Sequence, residues 1–501
     1  MLFRRSTLSG PCNRVRSHAE LTGVRSMPRP TVPPAVAWVS SATAFMTVMA
    51  AAGAPSALLI VYQQQWHFPD SELTIAFAIY ALGLLLALLA VGSLSDRIGR
   101  RPVLVAALAL QAVAMAVFLA APDIGVLIVA RALQGFATGA ATSAFSAYIS
   151  EVAPAAWKKA AALVVSIASF AGLGIGVVLT GLAVQFAAAP ATVVFGAALA
   201  IVVVATVVTA ASPETVDGRG TIGGIGETGE TGEISGRGGI SGRGGIGGRG
   251  GIGGRGGIGG RAGKGERGGI RERGRIGDAL VPRVGVPSAA RAAFVRTAPG
   301  MIGIWMSAGL VLGLGSSIVH QALHITGGAA LGLVVSAQPL AAAVSALVFG
   351  PLMPVRRFML AGYAAVFAGV SLEACSFAAG LAPLIVCGAL VTGLGFGAVF
   401  SSTLGILVPL TRAQERAKLF SAVYVVAYLA YGIPTIVAGY LSDAIGLVPA
   451  AIVYAIATAA MAAAGLIVSL SRTGSVPTDP LPGDTREARA HDVRESTSSP
   501  V

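Results

Sequence analysis

Long apolar runs recur along the chain and limit its possible folds more than any other feature. A helix needs about 20 mostly apolar residues to cross the hydrocarbon core of a bilayer, since each residue adds about 1.5 Å. Twelve runs reach this length, in two groups of six separated by a long polar segment. Only 11% of the residues are charged, too few to coat a water-soluble protein of 501 residues. The sequence therefore predicts an all-α membrane protein.

The predicted spans form two six-helix bundles. The first six are predicted at 35–61, 73–92, 103–121, 125–149, 160–184 and 190–211, and the second six at 299–322, 328–350, 358–379, 383–409, 419–441 and 446–470. Pro55, Pro339 and Pro434 fall inside spans, which lipid-embedded helices tolerate when neighbours satisfy the freed backbone groups. The predicted domains are an N-terminal tail at 1–34, bundles at 35–215 and 299–471, a linker at 216–298 and a C-terminal tail at 472–501.

The basic residues divide between the two sides of this arrangement. Of 35 Lys and Arg residues, 34 fall in tails and loops on one side, and the exception, Arg131, lies within the fourth span. Lys and Arg accumulate on the cytoplasmic side because they resist translocation. We therefore predict a multi-pass protein of the inner (plasma) membrane with both termini in the cytoplasm. The net charge of +13 then reflects topology, and no nucleic-acid partner is expected.

The polar segments at the ends and in the middle have compositions of their own. Residues 235–261 repeat SGRGGI or GGRGGI, and glycine at this density predicts a disordered cytoplasmic linker. RGG runs also bind RNA, but the repeat lacks aromatic residues to stack on bases; attraction to anionic lipids is a third interpretation. The Arg- and Ser-rich N-terminal tail resembles an organellar presequence. We favour a basic cytoplasmic tail, or an extension upstream of a true start at Met27.

A compact charged loop separates the second and third spans. It reads GSLSDRIGRRPVL, residues 92–104. Gly92 and Gly99 allow a tight turn and close approach of helices. An aspartate at this place would be stabilised by a helix N-terminus or by an arginine. The loop therefore has the chemistry of a gate.

This loop resembles the signature G-x-L-x-D-R-x-G-R-[RK] of the major facilitator superfamily. The matching residues are Gly92, Leu94, Asp96, Arg97, Gly99, Arg100 and Arg101. Similar segments are RALQG at 131–135, EVAPAAWK at 151–158 and PET at 213–215, and a weaker copy of the loop, GYLSDAIG, recurs at 439–446. The resemblance implies two bundles that rock about a central cavity, with the loop latching the cytoplasmic side shut.

The resemblance also implies a function. It predicts a secondary transporter that works by alternating access, closest in its motifs to drug–proton antiporters or uncharacterised bacterial members. We expect proton-coupled efflux of an amphipathic compound, with an uptake carrier or uniporter for a small metabolite as the alternative. The fifth span has the glycines of the antiporter signature, GLGIGVVLTG at 172–181, but lacks its proline. Close helix packing explains these glycines equally well.

Arg131 is the most informative single residue. An Arg at the centre of a spanning helix costs about 2.5–3.5 kcal/mol on insertion scales, so we expect a cavity or a partner there, or a purely interhelical role. In proton-coupled relatives the matching arginine tunes an acid, but the first span has none. The proton-coupling candidates are therefore Arg131 with Glu373, which we prefer, or Glu72. His320 and His324 fit better at a wet helix end.

Several aromatic and polar residues are candidates for a substrate cavity. Tyr424, Tyr428 and Tyr431 follow i, i+4, i+7 spacing on one face of the eleventh span. The other candidates are Tyr80, Gln134 and Trp305. Aromatic side chains with few fixed charges suit an apolar or cationic amphipathic solute, although ordinary packing would produce the same spacing.

No enzyme chemistry is expected. The sequence shows no nucleotide-binding loop, no nucleophile–base pattern and no metal-ligand cluster, and its three cysteines have no ligand spacing. We expect a monomeric carrier in the bilayer, without cofactor or metal, whose ligands are a small solute and a proton. Two hypotheses of other classes remain: a non-transporting membrane sensor and a membrane-tethered RNA-binding protein, both acting through the linker.

Deletion of residues 220–290 separates these hypotheses. A carrier should still move solute without its linker, whereas a sensor or an RNA-binding protein would lose its activity. The measurements are solute flux in the deletion variant and RNA binding by the full chain. Tight RNA binding, together with no change in the uptake or tolerance of any solute tested, would contradict the carrier.

Overall fold

Twelve membrane-length helices form the part of the chain that the computed structural model describes, which is residues 34–212, 214, 284–412 and 415–471. The first bundle contains α1 (α1a, Pro34–Gly53, and α1b, Pro55–Trp66), α2 (Asp70–Ile98), α3 (Arg100–Ala120), α4 (Ile124–Val152), α5 (Ala161–Phe186) and α6 (Pro190–Ala211). The second contains α7 (α7a, Ser288–Gly313, and α7b, Gly315–Ala322), α8 (Gly328–Val344, with a π-helical turn to Phe349), α9 (Val355–Ala379), α10 (Ala382–Leu407), α11 (Arg416–Ile445) and α12 (Leu447–Leu470). The predicted fold class of twelve transmembrane helices is confirmed.

Some helix boundaries differ from the prediction. α1 continues past 61 to Trp66, and Pro55 begins its second segment at the first helical position, where proline is tolerated. α7 begins at Ser288 instead of 299, within the predicted linker, and carries Pro299 in its interior. A deletion that tests the linker should therefore end before residue 284. The rest of the linker and both tails lie outside the described residues.

The predicted loop between the second and third spans is almost entirely helical. α2 runs on to Ile98, and α3 begins at Arg100, so Gly99 alone connects them. Its φ of 112° is a conformation that residues with a side chain rarely adopt. The same corner occurs between α11 and α12, where Gly446 has a φ of 92°.

Each bundle is held by pairs of helices, and two further pairs join the bundles. Within the first bundle α2 packs on α4, α3 on α6 and α1 on α5, and within the second α9 packs on α10, α8 on α10 and α7 on α12. Between the bundles α5 packs on α8 and α2 on α11. At the first of these contacts Gly181 meets Gly328 and Gly332 directly, because a Cβ on any of them would lie within 3 Å of the facing backbone. Small residues of this kind let helices pack closely in lipid.

The helix ends define two faces of the molecule. The basic face carries the corner between α2 and α3 and the starts of α5, α9 and α11, with residues such as Arg100, Lys158 and Arg356. The opposite face carries the ends of α1b, α7b and α11 and the start of α2.

Cysteine labelling checks the predicted orientation. In a variant without native cysteines, Ala188→Cys, exposed between α5 and α6 on the opposite face, should react with a membrane-impermeant maleimide in intact cells. Lys158→Cys, exposed on the basic face, should react only after permeabilisation if the predicted orientation is right, because Lys and Arg resist translocation. The reverse labelling pattern would invert the topology.

Candidate functional site

Arg131 is buried inside the first bundle, with 1% of its surface exposed. Its Nε donates to the carbonyl oxygen of Ala76 at 3.3 Å, and one terminal nitrogen donates to Oε1 of Gln134 at 2.7 Å. The guanidinium lies over two α2 rings, 4.7 Å from the centre of Phe77 and 4.5 Å from that of Tyr80. Ring faces and a carbonyl oxygen thus compensate the charge. Among the described residues no carboxylate forms an ion pair with it.

Gln134 extends this network to the break in α1. Its Nε2 donates to the carbonyl oxygen of Ala51 at 2.8 Å. In a regular helix this carbonyl would accept from the N–H of residue 55, but Pro55 has none. The amide of Gln134 therefore occupies the acceptor that the proline leaves open. The predicted residues Arg131, Gln134 and Tyr80 lie together, and the network links α1, α2 and α4.

An aromatic cluster lies between the two bundles. It consists of Phe170 from α5, Trp305 from α7a, Phe396 and Phe400 from α10, and Tyr424, Tyr428 and Tyr431 from α11. The ring of Trp305 lies 4.9 Å from that of Tyr428 and 5.6 Å from that of Phe396. Phe170 crosses from the first bundle and lies 5.5 Å from Phe396. The cluster therefore has surfaces from both bundles.

The structure assembles the predicted aromatic residues and adds three. Tyr424 and Tyr428 stack at 6.2 Å on the face of α11 that meets Trp305, as their spacing predicts. Phe170, Phe396 and Phe400 were not predicted as members of the site. The i, i+4 spacing of the two α10 residues was the available signal.

Two polar features accompany the cluster. The indole N–H of Trp305 is buried and has no acceptor in the described part of the chain. Tyr431, 5% exposed, lies close enough to Arg131 for the two to interact electrostatically. The aromatic cluster and the arginine network are thus neighbours across the boundary between the bundles.

The segment at 92–104, called the gating loop after its predicted role, binds acidic groups of its own bundle. The carboxylate of Glu214, which follows α6, accepts from the backbone N–H groups of Arg100 and Arg101 at 2.9 and 3.1 Å. It thereby caps the N-terminus of α3, where negative charge is favoured. A Cβ on Gly99 would lie 2.8 Å from this carboxylate. The guanidinium of Arg100 also bonds Glu151 at the end of α4, at 3.0 Å.

The other signature residues fall both inside and outside the described part of the chain. Leu94 is half-buried on the last turn but one of α2. The side chains of Asp96 and Arg97 and the surroundings of Gly92 lie outside the described part, as do Pro213 and Thr215. The latching role of the loop therefore remains a prediction.

Glu373 lies in the interior of the second bundle, 1% exposed. Its Oε1 accepts from the hydroxyl of Thr392 on α10 at 3.1 Å, and its Oε2 has no partner in the described part. The side chain lines a cavity of about 20 Å³ between α7, α8, α9 and α10, room for about one water molecule. Arg131 belongs to the other bundle, and the structure does not bring the two together.

The remaining titratable candidates lie on the opposite face. Glu72 is half-buried in the first turn of α2. His324 is exposed beyond the end of α7b with a φ of 54°. Nε2 of His320 lies 2.8 Å from Nε2 of Gln64, a contact that joins α7b to α1b.

Several further contacts between the bundles lie on this face. The hydroxyl of Ser316 donates to the carbonyl of Ser56 at 2.9 Å, and that of Ser317 donates to Oε1 of Gln63 at 3.2 Å. With the contact of His320 they hold α7b against α1b. The opposite face is therefore closed.

The two six-helix bundles meet at the aromatic cluster, and comparison with known proteins identifies their class. A profile of the Major Facilitator Superfamily matches residues 40–282 and 290–498. The chain belongs to this superfamily, whose members are generally non-enzymatic transporters.

Comparison with solved structures gives the same fold. One similar structure is described as a crystal structure of a bacterial homolog to the human lysosomal transporter Spinster, in an inward-facing and unoccupied conformation. The two chains share 11% identity with a TM-score of 0.62, over 88% of this chain and 98% of the other. No curated protein matches the sequence.

Proposed function

We propose that the protein moves an amphipathic small solute across the membrane by alternating access, with the aromatic cluster as its binding surface. The observation that carries this proposal is the meeting of Phe170 from the first bundle with Phe396 and Phe400 from the second, because a carrier must present its site between two bundles that rock. A site built from both bundles can be exposed to either side in turn.

The chemistry of the cluster limits the solute. Its rings offer large apolar faces, and the indole N–H of Trp305, which has no acceptor among the described residues, can donate to a bound solute. We propose a solute that combines apolar or aromatic surface with at least one hydrogen-bond acceptor. A sugar is a poor fit, because it would leave most of its hydroxyl groups facing rings.

The direction of transport follows from orientation and coupling. We propose that the basic face is cytoplasmic, so the closed opposite face is the outer one. The motifs shared with drug–proton antiporters support efflux in exchange for protons.

Replacement of Trp305 tests the binding surface. Trp305→Ala removes the ring that contacts α10 and α11 and should raise the KM for solute about tenfold or more, as loss of a buried aromatic anchor does. The measurement is flux of a panel of amphipathic compounds, first as tolerance and accumulation in a pump-deficient host and then in proteoliposomes.

Trp157→Ala is the matched control. Trp157 is 51% exposed on the basic face and packs on Trp38, away from the cluster. Its loss should leave KM unchanged. Equal effects of the two replacements, or no compound moved by the unaltered protein, would contradict the proposal.

We propose Glu373 as the group that carries the coupled proton. No cation pairs with its carboxyl group among the described residues, and an ionised carboxylate there would lack its hydration. The adjoining cavity offers room for the water that proton exchange requires.

Replacement of Glu373 by its neutral isostere tests the coupling. Glu373→Gln keeps a hydrogen bond with Thr392 but cannot release a proton, so it should abolish accumulation driven by a pH gradient while solute exchange at equal pH persists. Glu72 is half-buried in the first turn of α2, away from this cavity, so Glu72→Gln should retain both activities. Normal pH-driven accumulation by Glu373→Gln would remove this residue from the coupling.

A further inference from the structure

The segment GYLSDAIG, 439–446, repeats the gating loop at the other end of the molecule. It matches GSLSDRIG, 92–99, at six of eight positions. Each segment ends a long helix, and each ends in a glycine of positive φ whose N–H bonds the serine carbonyl four residues before it. The first lies on the basic face and the second on the opposite face.

The aspartate of this second segment caps a helix of the other bundle. Oδ1 of Asp443 accepts from the backbone N–H of Asp70 at 3.0 Å, and Oδ2 lies 3.3 Å from the N–H of Ser71. These are the first two residues of α2, which has 29 residues and no side-chain cap of its own. Glu214 caps α3 in the same way, but from within its own bundle. Asp443, by contrast, belongs to the second bundle and caps a helix of the first.

Neighbouring side chains support this cap. Ser442 donates to Oδ2 of Asp70 at 2.6 Å, and Gln63 donates to Oδ1 at 2.7 Å, so both oxygens of the neighbouring carboxylate are occupied. α11 also rests directly on α2, because a Cβ on Gly439 would lie 3.0 Å from the carbonyl oxygen of Asp70. α11 and α2 are therefore closely packed and hydrogen-bonded at this contact.

We propose that Asp443 latches the opposite face shut, as the counterpart of the role predicted for Asp96 on the basic face. When the bundles separate on the opposite face, the N-terminus of α2 loses its cap and Asp443 loses its two donors. The latch thus stabilises one of the two states that alternating access requires, and in this sense it rests on the proposed function. Asp443, at the end of α11, would then cap the start of α2 while the opposite face is closed. Asp96, at the end of α2, would cap the start of α11 while the basic face is closed.

Distance measurements on the full chain test the latch. Spin labels at Gln65 and Gln321, both exposed on the opposite face in different bundles, report its opening after the native cysteines are replaced. Asp443→Ala should raise the ratio of long to short distances roughly three- to tenfold, the effect of losing one helix cap. Asp443→Glu, which keeps the carboxylate, should restore much of the closed state.

Asp123→Ala is the matched control. Asp123 also caps a helix on this face, accepting from the N–H of Val126 at 2.9 Å, but both belong to the first bundle. Its loss should lower thermal stability without changing the distance ratio. If Asp443→Ala fails to fold, Ser442→Ala, which removes the bond to Asp70, should shift the ratio in the same direction by less.

Three results would overturn the latch, and the first two would do so without contradicting the proposed function. An unchanged ratio in Asp443→Ala, or an equal shift in Asp123→Ala, with long distances still present in the unaltered protein, would remove the latch and leave alternating access intact. Absence of long distances in every variant, with and without transported solute, would overturn both.

Discussion

The absence of water from the bilayer core is the constraint on which the whole structure depends. Every backbone N–H and C=O at this depth must find a partner within the protein, which is why the described spans are helices. The same constraint applies where a helix is interrupted. Where Pro55 removes a donor from α1, the amide of Gln134 supplies one to Ala51. A side chain of α4 is thereby fixed against α1, and Arg131 is held beside it.

The sequence predicted the features that follow from hydrophobic length and charge. Twelve spans, two bundles and the grouping of basic residues depend on composition along the chain, which the sequence shows directly. Helix ends were less predictable, because Arg291 and Arg296 make the start of α7 polar enough to resemble a linker. Glycine was informative at one of two positions, since Gly99 makes the expected tight turn, as a one-residue corner between two helices, whereas Gly92 lies within α2.

The partners of the site residues could not be predicted, for a different reason. The carbonyl oxygens that satisfy Arg131 and Gln134 belong to alanines, whose identity carries no signal. The expectation of an acid for Arg131 came from relatives, and this chain places ring faces there instead. Phe170 likewise has no neighbour in sequence that would mark it, because it joins the aromatic cluster only when the two bundles meet.

The way Arg131 is compensated has a consequence for energetics. Dipoles and ring faces stabilise the guanidinium, but they do not cancel its charge, so the first bundle holds a positive charge within the low-dielectric region. A transmembrane voltage acts on such a charge with about 2.3 kcal/mol per 100 mV for a full crossing. Any movement of α4 that carries the Arg131 charge along the membrane normal would therefore be electrically favoured in one direction. The membrane potential would thus bias the conformation of the carrier even before solute binds.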